Sequence, residues 1–309
     1  HLDDAGHLGH DRARRQDVEQ LVDDLGGLAD LLEAYPAPGE AVAVRVGPDL
    51  PVDLVVRERQ RLVAPQVPVD AAGAQVRAGQ AVLLGDCGRD DADAAEWVDG
   101  ILGRWRLPQG AAVLDLACGR GRHVRHFMER GMRTTGLDIS EESIAEARIL
   151  APGADLRVGD MRTPVATAAF DGVCCLFTSL GYFETAKDDQ DVFDAVATAL
   201  RPGGRFVLDF MNSEQVLKGL VGEETIEHGG IRFHVRRDLV NDIFVKRIAV
   251  FDGAEEHHFE ERVQALRPDE LLAMATSAGL EIEDCTDGPA GAPFDAEQSG
   301  RFVLWTRRP

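Results

Sequence analysis

The chain has 309 residues, of which 44% are hydrophobic, and this is enough to bury one large core or two smaller ones. Its formal net charge of −21 repels phosphate backbones and anionic lipid, which excludes nucleic acid and membrane surfaces as expected partners. No apolar run approaches the roughly 20 residues of a membrane span and no signal-peptide pattern opens the chain, so the predicted location is cytoplasmic.

The first 88 residues differ in composition from the rest of the chain. Residues 1–88 contain no Ser, Thr, Asn, Lys, Ile, Met, Phe or Trp, and six prolines follow Tyr35. Apolar residues over 18–32 have helical spacing, which predicts one amphipathic helix. The segment otherwise lacks the apolar surface that offsets the entropy of ordering a chain. We therefore expect it to be disordered or non-native, with a divergent helical cap as the alternative, and residues 89–309 to form the functional domain.

From residue 91 the pattern changes to alternating helices and strands. Helical spacing predicts a helix over 94–105, another from 141 with Ser140 as its N-cap, and a third over 187–200. Short apolar runs predict strands near residues 111–117, 133–138, 155–158, 170–177 and 205–211. This alternation predicts an α/β fold, in which a mostly parallel sheet carries helices on both faces.

The alternation is interrupted at residues 231–265. Three runs there alternate apolar and polar residues, and turn signals separate them: IRFHV, DIFVKRIAVF and HHFEERVQAL. They predict a small antiparallel β-meander inserted into the larger fold. We expect this insertion to cover the substrate, and a homodimer contact is its alternative role. The helix–strand pattern then resumes, with a helix over 268–279 and strands over 280–284 and 301–306.

The motif that carries chemistry is VLDLACGRG, from Val113 to Gly121. It ends the first of these strands, where open α/β sheets bind their ligands. A dinucleotide needs Gly-x-Gly-x-x-Gly to place its pyrophosphate on the helix N-terminus, and Arg122 stands at the third glycine position. Asp115 would also repel a pyrophosphate, whereas it attracts the ammonium group of a methionine moiety. Its charge therefore favours S-adenosylmethionine over NAD as the cofactor.

Two further carboxylates follow the next two predicted strands. Asp138 ends the second strand and is suited to accept hydrogen bonds from both ribose hydroxyls, a role common to both cofactor classes. Asp160 and Met161 lie past the third strand, where they are suited to meet the amino group and ring of adenine. Each acidic residue alone is more often a cap or a solvated turn residue. Three of them after three successive strands predict a cofactor site.

With these motifs the chain resembles the class I S-adenosylmethionine-dependent methyltransferases. The resemblance covers residues 91–309 and is carried by VLDLACGRGRH, GLDIS, GDMR, FDGVCCLFTSLGYFE, LRPGGRFVLDFMN and SGRFVLWTRR. It is nearest to the small-molecule branch that has an antiparallel insertion before the last helix. It implies a Rossmann-like seven-stranded sheet, mostly parallel, whose last strand is antiparallel. Ala117 departs from the family's usual first glycine.

The resemblance also implies a set of cofactor-binding residues. Nine positions match the family's contacts: Asp115, Ala117 and Gly119 at the methionine end, Asp138 and Ile139 at the ribose and adenine, Asp160 and Met161 at the adenine, and Phe177 and Thr178 at the sulfonium side. No metal is expected, because the five cysteines have no paired spacing of the kind that zinc sites use.

Methyl transfer from a sulfonium is an in-line displacement, so the protein mainly holds donor and acceptor in line. A general base is needed only for an acceptor that arrives protonated. The candidates that we select are Tyr182 and His257, from a group that also contains Glu184, His234, His258 and Glu260. The expected substrate is a small molecule. The alternatives are a non-catalytic, methyltransferase-like cofactor-binding or partner subunit and, third, an NAD-dependent oxidoreductase.

Overall fold

The computed structural model describes residues 43–44, 54–55, 91–228, 231–252 and 255–309. The chain divides into two units, His1–Pro65 and Gln66–Pro309. In the first unit, strands β1 (Ala43–Val44) and β2 (Leu54–Val55) pair antiparallel. Apart from these two strands, the prediction for residues 1–88 lies outside the described residues, and it stays a prediction.

Helices and strands alternate in the first part of the second unit. The helices are α1 (Asp91–Trp105), α2 (Arg122–Glu129), α3 (Glu141–Leu150) and α4 (Ala186–Ala199). The strands are β3 (Ala112–Leu116), β4 (Arg133–Asp138), β5 (Asp155–Val158), β6 (Phe170–Cys175) and β7 (Leu200–Met211). The predicted α/β alternation is confirmed. Ser140 caps α3 as predicted, because its Oγ accepts a hydrogen bond from the Ser143 N–H at 3.1 Å.

The C-terminal part contains the insertion and the last elements of the sheet. A short helix, α5 (Ser213–Lys218), precedes four strands: β8 (Glu223–His228), β9 (Ile231–Val240), β10 (Ile243–Asp252) and β11 (Glu255–Gln264). Helix α6 (Pro268–Ser277), with Pro268 in its first turn, is followed by β12 (Glu281–Thr286) and β13 (Arg301–Arg307).

Seven strands form one sheet in the order β12-β13-β7-β6-β3-β4-β5. Strands β3 to β7 are parallel to their neighbours in that group, and β13 is antiparallel to both β7 and β12. The predicted Rossmann-like sheet with an antiparallel last strand is therefore confirmed. The chain runs outward from β3 to β5 and then returns to β6 on the other side of β3. Ligands of open α/β sheets bind at such a reversal, at the carboxyl ends of the strands.

The insertion is a second, antiparallel sheet in the order β11-β10-β9-β8. An antiparallel insertion is confirmed, but the predicted bounds of 231–265 omit one strand, because β8 also pairs with β9. The sequence of β8, EETIEH, has a single aliphatic residue, Ile226, so it carries no strand-like apolar alternation. Pairing with β9 therefore stabilises β8 as a strand, although the sequence of β8 does not predict one.

Side chains of the central strands alternate between two apolar layers. Leu114, Val173 and Leu208 pack in the layer that contains residues of α4 and α6. Val113, Cys174 and Val207 pack in the other layer, and the apolar residues of α1 are buried there: Trp97, Val98, Ile101 and Trp105. Helix α1 is thus part of the domain core. Within the described ranges, no helix is long and apolar enough to cross a membrane.

The packing of α1 can be tested at Gly172 of β6. A Cβ at Gly172 would lie 2.5 Å from Cζ3 of the Trp105 ring, which is too close for any carbon contact. We expect Gly172→Ala to lower the free energy of unfolding by about 1–3 kcal/mol through overpacking. The matched control is Gly103→Ala on α1, where a Cβ would meet no atom within 4 Å. That change is expected to raise stability by up to about 1 kcal/mol through helix propensity. Equal stability of Gly172→Ala and the wild type in urea unfolding would contradict the packing of Trp105 on β6.

Candidate functional site

A turn of small residues follows β3 at the carboxyl edge of the sheet. Ala117, Gly119 and Gly121 all have left-handed backbone conformations, with φ of 54°, 53° and 84°. A Cβ on Gly121 would lie 3.0 Å from the Ala147 Cβ, so glycine there permits the close approach of α3. A Cβ on Gly119 would meet no heavy atom within 4 Å. The turn therefore exposes its backbone at Gly119, on the side where a ligand would approach.

Asp138 joins this turn to the end of the neighbouring strand. Its Oδ2 accepts a hydrogen bond from the Gly119 N–H at 2.8 Å, and its Oδ1 accepts one from the Ser140 N–H at 2.9 Å. Each carboxylate oxygen has two lone pairs, so both can accept a further bond. Ile139 and Val158 lie beside it with 39% and 44% of their surface exposed, and Val158 is the register partner of Asp138. The Asp138 carboxylate, a hydrogen-bond acceptor, thus lies next to the exposed apolar surface of Ile139 and Val158.

Asp115 is a buried carboxylate that lacks a full set of partners. It is 1% exposed, its Oδ1 accepts a hydrogen bond from the Cys174 thiol at 3.4 Å, and its Oδ2 has no hydrogen-bond partner among the residues that the structure describes. The His123 Nδ1 lies 4.0 Å from that oxygen, beyond hydrogen-bond distance. Burial, with a smaller contribution from the charge of Asp138, raises the pKa of Asp115 to about 7. A buried carboxylate in this state is stabilised by a proton or by a cation.

The turn after β6 is held in a strained conformation by Asp209. Phe177 and Thr178 both have left-handed backbones, with φ of 56° and 59°. Asp209 is fully buried in β7; its Oδ2 accepts from the Phe177 N–H at 2.8 Å, and its carbonyl accepts from the Thr178 N–H at 3.0 Å. Arg301 donates two hydrogen bonds to the same carboxylate and one to the Thr178 Oγ1. This network stabilises a backbone that two bulky residues rarely adopt.

The Phe177 ring forms an aromatic wall together with the rings of Trp97 and His123, and His123 is the residue of this wall that lies near Asp115. The Phe177 ring stacks on the His123 ring with centroids 4.9 Å apart and contacts the Trp97 ring edge-on at 5.4 Å. His123 belongs to α2 and Trp97 to α1, so both helices contribute to the wall. The sequence predicted Phe177 as a site residue but neither of its ring partners.

The structure places Asp160 and Met161 after β5, at the predicted edge of the sheet. The Asp160 carboxylate forms an ion pair with Arg162 at 2.5 Å, and Arg162 also contacts Asp188 at 2.6 Å. Met161 is partly buried and packs against the main core. Because Arg162 engages the Asp160 carboxylate, the predicted hydrogen bond to an adenine amino group stays a prediction.

The two predicted catalytic residues lie at different places on the insertion and its neighbouring loop. The Tyr182 hydroxyl donates a hydrogen bond to the Glu261 carboxylate at 2.7 Å. His257 lies on the same strand and the same face as Glu261, because residues four apart on a strand share a face. Four residues of strand span roughly 13 Å, and the Tyr182 hydroxyl contacts β11 at the Glu261 end of that span. His258 lies on the opposite, exposed face.

Gln264, at the end of β11, clamps the loop that carries Tyr182. Its backbone N–H donates to the Gly181 carbonyl at 2.7 Å, and its side chain donates to the Phe183 carbonyl at 2.8 Å and to the Asp189 carboxylate at 2.7 Å. Asp189 is fully buried and also accepts from the Gly181 N–H at 3.0 Å. Neither Gln264 nor Asp189 was predicted from the sequence. The signal for Asp189 was a carboxylate on the apolar face of a helix.

Comparison with known proteins places this arrangement in context. The family described as a methyltransferase domain matches residues 113–204. The dTDP-3-amino-3,4,6-trideoxy-alpha-D-glucopyranose N,N-dimethyltransferase of Streptomyces venezuelae is 30% identical over 208 residues, which are 65% of this chain and 87% of that protein. The dTDP-3-amino-3,6-dideoxy-alpha-D-glucopyranose N,N-dimethyltransferase of Streptomyces fradiae is 30% identical over 214 residues, with 67% and 82% covered. The solved structure of CalS10, an amino pentose methyltransferase from Micromonospora echinaspora, is 28% identical with a TM-score of 0.57, with 72% and 93% covered.

The left-handed backbone at Ala117 generates a stability prediction. A left-handed conformation costs a non-glycine residue roughly 1–2 kcal/mol, so Ala117→Gly is expected to raise the free energy of unfolding by about 1 kcal/mol. The matched change in the opposite sense is Gly119→Ala, at nearly the same φ and with no atom near the new Cβ. It is expected to lower stability by about 1–2 kcal/mol. A loss of stability in Ala117→Gly, measured by urea unfolding, would be incompatible with this turn.

Proposed function

The chain belongs to the class I S-adenosylmethionine-dependent methyltransferases that act on small molecules, and from this premise we propose that its acceptor is an amino sugar, methylated at the nitrogen. The two curated relatives are named as N,N-dimethyltransferases of dTDP-linked amino sugars, and the solved relative as an amino pentose methyltransferase. The chain spans more than four fifths of each of these proteins. The two curated relatives support nitrogen as the methylated atom, and the solved relative supports an amino sugar as the acceptor.

One observation supports the placement of the cofactor: Asp115 Oδ2 is buried without a hydrogen-bond partner in the described ranges, on the strand that leads into the turn at Gly119. An ammonium group placed there would compensate the carboxylate and supply the missing donor. A pyrophosphate would add a second negative charge. The residues therefore fit S-adenosylmethionine, and the alternatives of an NAD-dependent oxidoreductase and of a non-catalytic subunit are set aside.

We assign the remaining contacts by position along the carboxyl edge. Asp138 would accept the ribose hydroxyls, and Ile139 would pack against the adenine. Asp160 and Met161 would meet the far edge of the adenine, while Ala117 and Gly119 would adjoin the methionine end. The strained backbone at Phe177 and Thr178 would line the sulfonium side. When bound, the cofactor supplies an electrophilic methyl group.

The protein's contribution to the reaction is orientation and proton handling. The turns at Gly119 and Phe177 are held by the carboxylates of Asp138 and Asp209, which keeps the site geometry fixed before substrate binds. Tyr182 reaches the acceptor side from the loop after β6 and would contact the amino nitrogen. The insertion would cover the substrate, and its inner face would determine which sugar is accepted. The predicted homodimer contact, the cytoplasmic location and a catalytic role for His257 stay predictions.

The cofactor assignment can be tested by ligand binding. S-adenosylhomocysteine is expected to raise the melting temperature, whereas NAD and NADP leave it unchanged, because only the former brings an ammonium group to Asp115. Asp138→Ala is expected to weaken S-adenosylhomocysteine binding about 10- to 100-fold in calorimetry, through loss of charged hydrogen bonds. The control is Asp155→Ala, an exposed carboxylate at the opposite end of β5. Stabilisation by NAD alone, or equal affinity in both variants, would contradict the assignment.

The buried charge of Asp115 generates a prediction about pH. The folded-state pKa of about 7 exceeds that of an unfolded carboxyl, near 3.9, so the folded chain binds more protons between these values. The contribution of Asp115 therefore makes the wild-type chain less stable as pH rises from about 4 to 7. Asp115→Asn removes this loss, and we expect it to be more stable than the wild type by roughly 2–4 kcal/mol at pH 8 and by only about 1–2 kcal/mol at pH 5, where the folded carboxyl is still protonated.

The same variant is expected to bind S-adenosylhomocysteine at least 10-fold more weakly at pH 8, since it lacks the charge that attracts the ammonium. Urea unfolding at both pH values, with Asp155→Asn as the control, measures the first effect, and calorimetry measures the second. Reduced stability together with unchanged affinity would refute the proposed role of Asp115.

A further inference from the structure

The contact between Tyr182 and Glu261 joins two parts of the chain that are 79 residues apart. The Tyr182 hydroxyl donates to Glu261 Oε1 at 2.7 Å, and the Lys246 ammonium lies 3.5 Å from Glu261 Oε2. Lys246 and Glu261 are register partners on β10 and β11, and each side chain is only 19% exposed. The three groups form a continuous chain from the loop after β6 into the insertion.

The position of Tyr182 in this chain is fixed on both sides. Gly181, which precedes it, exchanges hydrogen bonds with Gln264 and Asp189, and the carbonyl of Phe183, which follows it, accepts from the Gln264 side chain. Gln264 lies three residues after Glu261 on the same strand. Strand β11 therefore contacts both the Tyr182 hydroxyl, through Glu261, and the backbone on either side of Tyr182, through Gln264.

This arrangement determines what the phenol oxygen can recognise. Its hydrogen is directed to Glu261, so toward a further group the oxygen offers lone pairs and acts as a hydrogen-bond acceptor. Such an oxygen favours an acceptor substrate with N–H or O–H donors over one with a carbonyl or carboxylate. A protonated amine satisfies this requirement, and it must lose a proton before its nitrogen can attack a methyl group.

Resting on the proposed N-methylation, we propose that Glu261 is a positioning residue that orients Tyr182 toward the substrate amine and receives, through it, the proton that the amine loses. The amine N–H bond breaks and its proton passes to the Tyr182 oxygen, while the original phenol proton passes to Glu261 Oε1. The freed nitrogen lone pair then forms the N–C bond, and the electron pair of the C–S bond stays on sulfur. Charge and atoms balance, and no other reagent is needed.

The charged groups around this relay are contributed by the elements packed against it. Lys246 faces Glu261 from β10, and Arg237 of β9 is the register partner of Lys246. Asp189 of α4 lies beneath Gly181. Lys246 offsets the negative charge of Glu261 before transfer, so the carboxylate is stabilised at 19% exposure.

The test measures methyl transfer from labelled S-adenosylmethionine to dTDP-3-amino-3,6-dideoxy-alpha-D-glucopyranose, with the full chain. Glu261→Gln keeps the size of the side chain and removes its charge, and we expect kcat to fall about 100-fold at pH 6.5 with little change in the KM for S-adenosylmethionine. At pH 9.5, where solvent deprotonates the amine, the loss is expected to shrink to below about 5-fold. Glu256→Gln, on the exposed face of the same strand, is the control and keeps wild-type rates.

Tyr182→Phe leaves the Lys246–Glu261 pair intact and is expected to show the same pH-dependent loss, which the double variant does not deepen, because both residues act in one relay. An equal rate for Glu261→Gln and Glu256→Gln overturns the inference. So does a loss that is the same at both pH values, or that adds fully to that of Tyr182→Phe, since either indicates a merely structural role. Absence of transfer by the wild type to any amino sugar refutes the proposed function itself.

Discussion

A carboxylate buried within the sheet, one of whose oxygens lacks a hydrogen-bond partner in the described part of the chain, is the constraint on which the site depends. Asp115 occupies β3, an inner strand at which the chain reverses direction across the sheet, so it cannot move toward solvent without disturbing the core. Its burial opposes ionisation, and the Cys174 thiol donates a hydrogen bond to it. A group of this kind destabilises the free protein and gains most from a bound cation. Binding of an ammonium and stability of the fold are therefore opposed at one residue.

Other buried and partly buried hydrogen bonds fix the backbone around Asp115. Asp138 draws the glycine turn toward β4, and Asp209 with Arg301 holds the left-handed residues after β6. Backbone and side-chain donors already hold both carboxylates, so they fix geometry, and Asp138 keeps lone pairs for a ligand; Asp115 has fewer donors and depends more on a bound cation. The insertion is connected to the same edge through Gln264, which donates to the loop on both sides of Tyr182. Buried and partly buried hydrogen bonds thus fix both the cofactor side of the site, at Asp138 and Asp209, and the acceptor side, at Gln264.

Most of the fold could be predicted from the sequence, because strands and helices of 91–211 have clear apolar periodicity and the site carboxylates stand at strand ends. What could not be predicted depends on partners distant in the chain. Asp209 lies within an apolar strand, and its partner Arg301 is 92 residues away. Glu261 becomes significant only when the fold brings it to Tyr182. Strand β8 is polar and forms through pairing with β9. The sequence shows which residues are charged. Tertiary contacts determine which of these residues fix the backbone of the site and which are available to bind a ligand.

The most direct test of the central claim counts the protons exchanged when S-adenosylhomocysteine binds. With its pKa near 7, Asp115 in the free protein is about half protonated at pH 7, and an ammonium bound beside it would require the carboxylate form. Calorimetric titrations at pH 7 in buffers of different ionisation enthalpy are therefore expected to show release of about half a proton, and none in Asp115→Asn. Binding of the same affinity with no proton release in the wild-type chain would contradict the account.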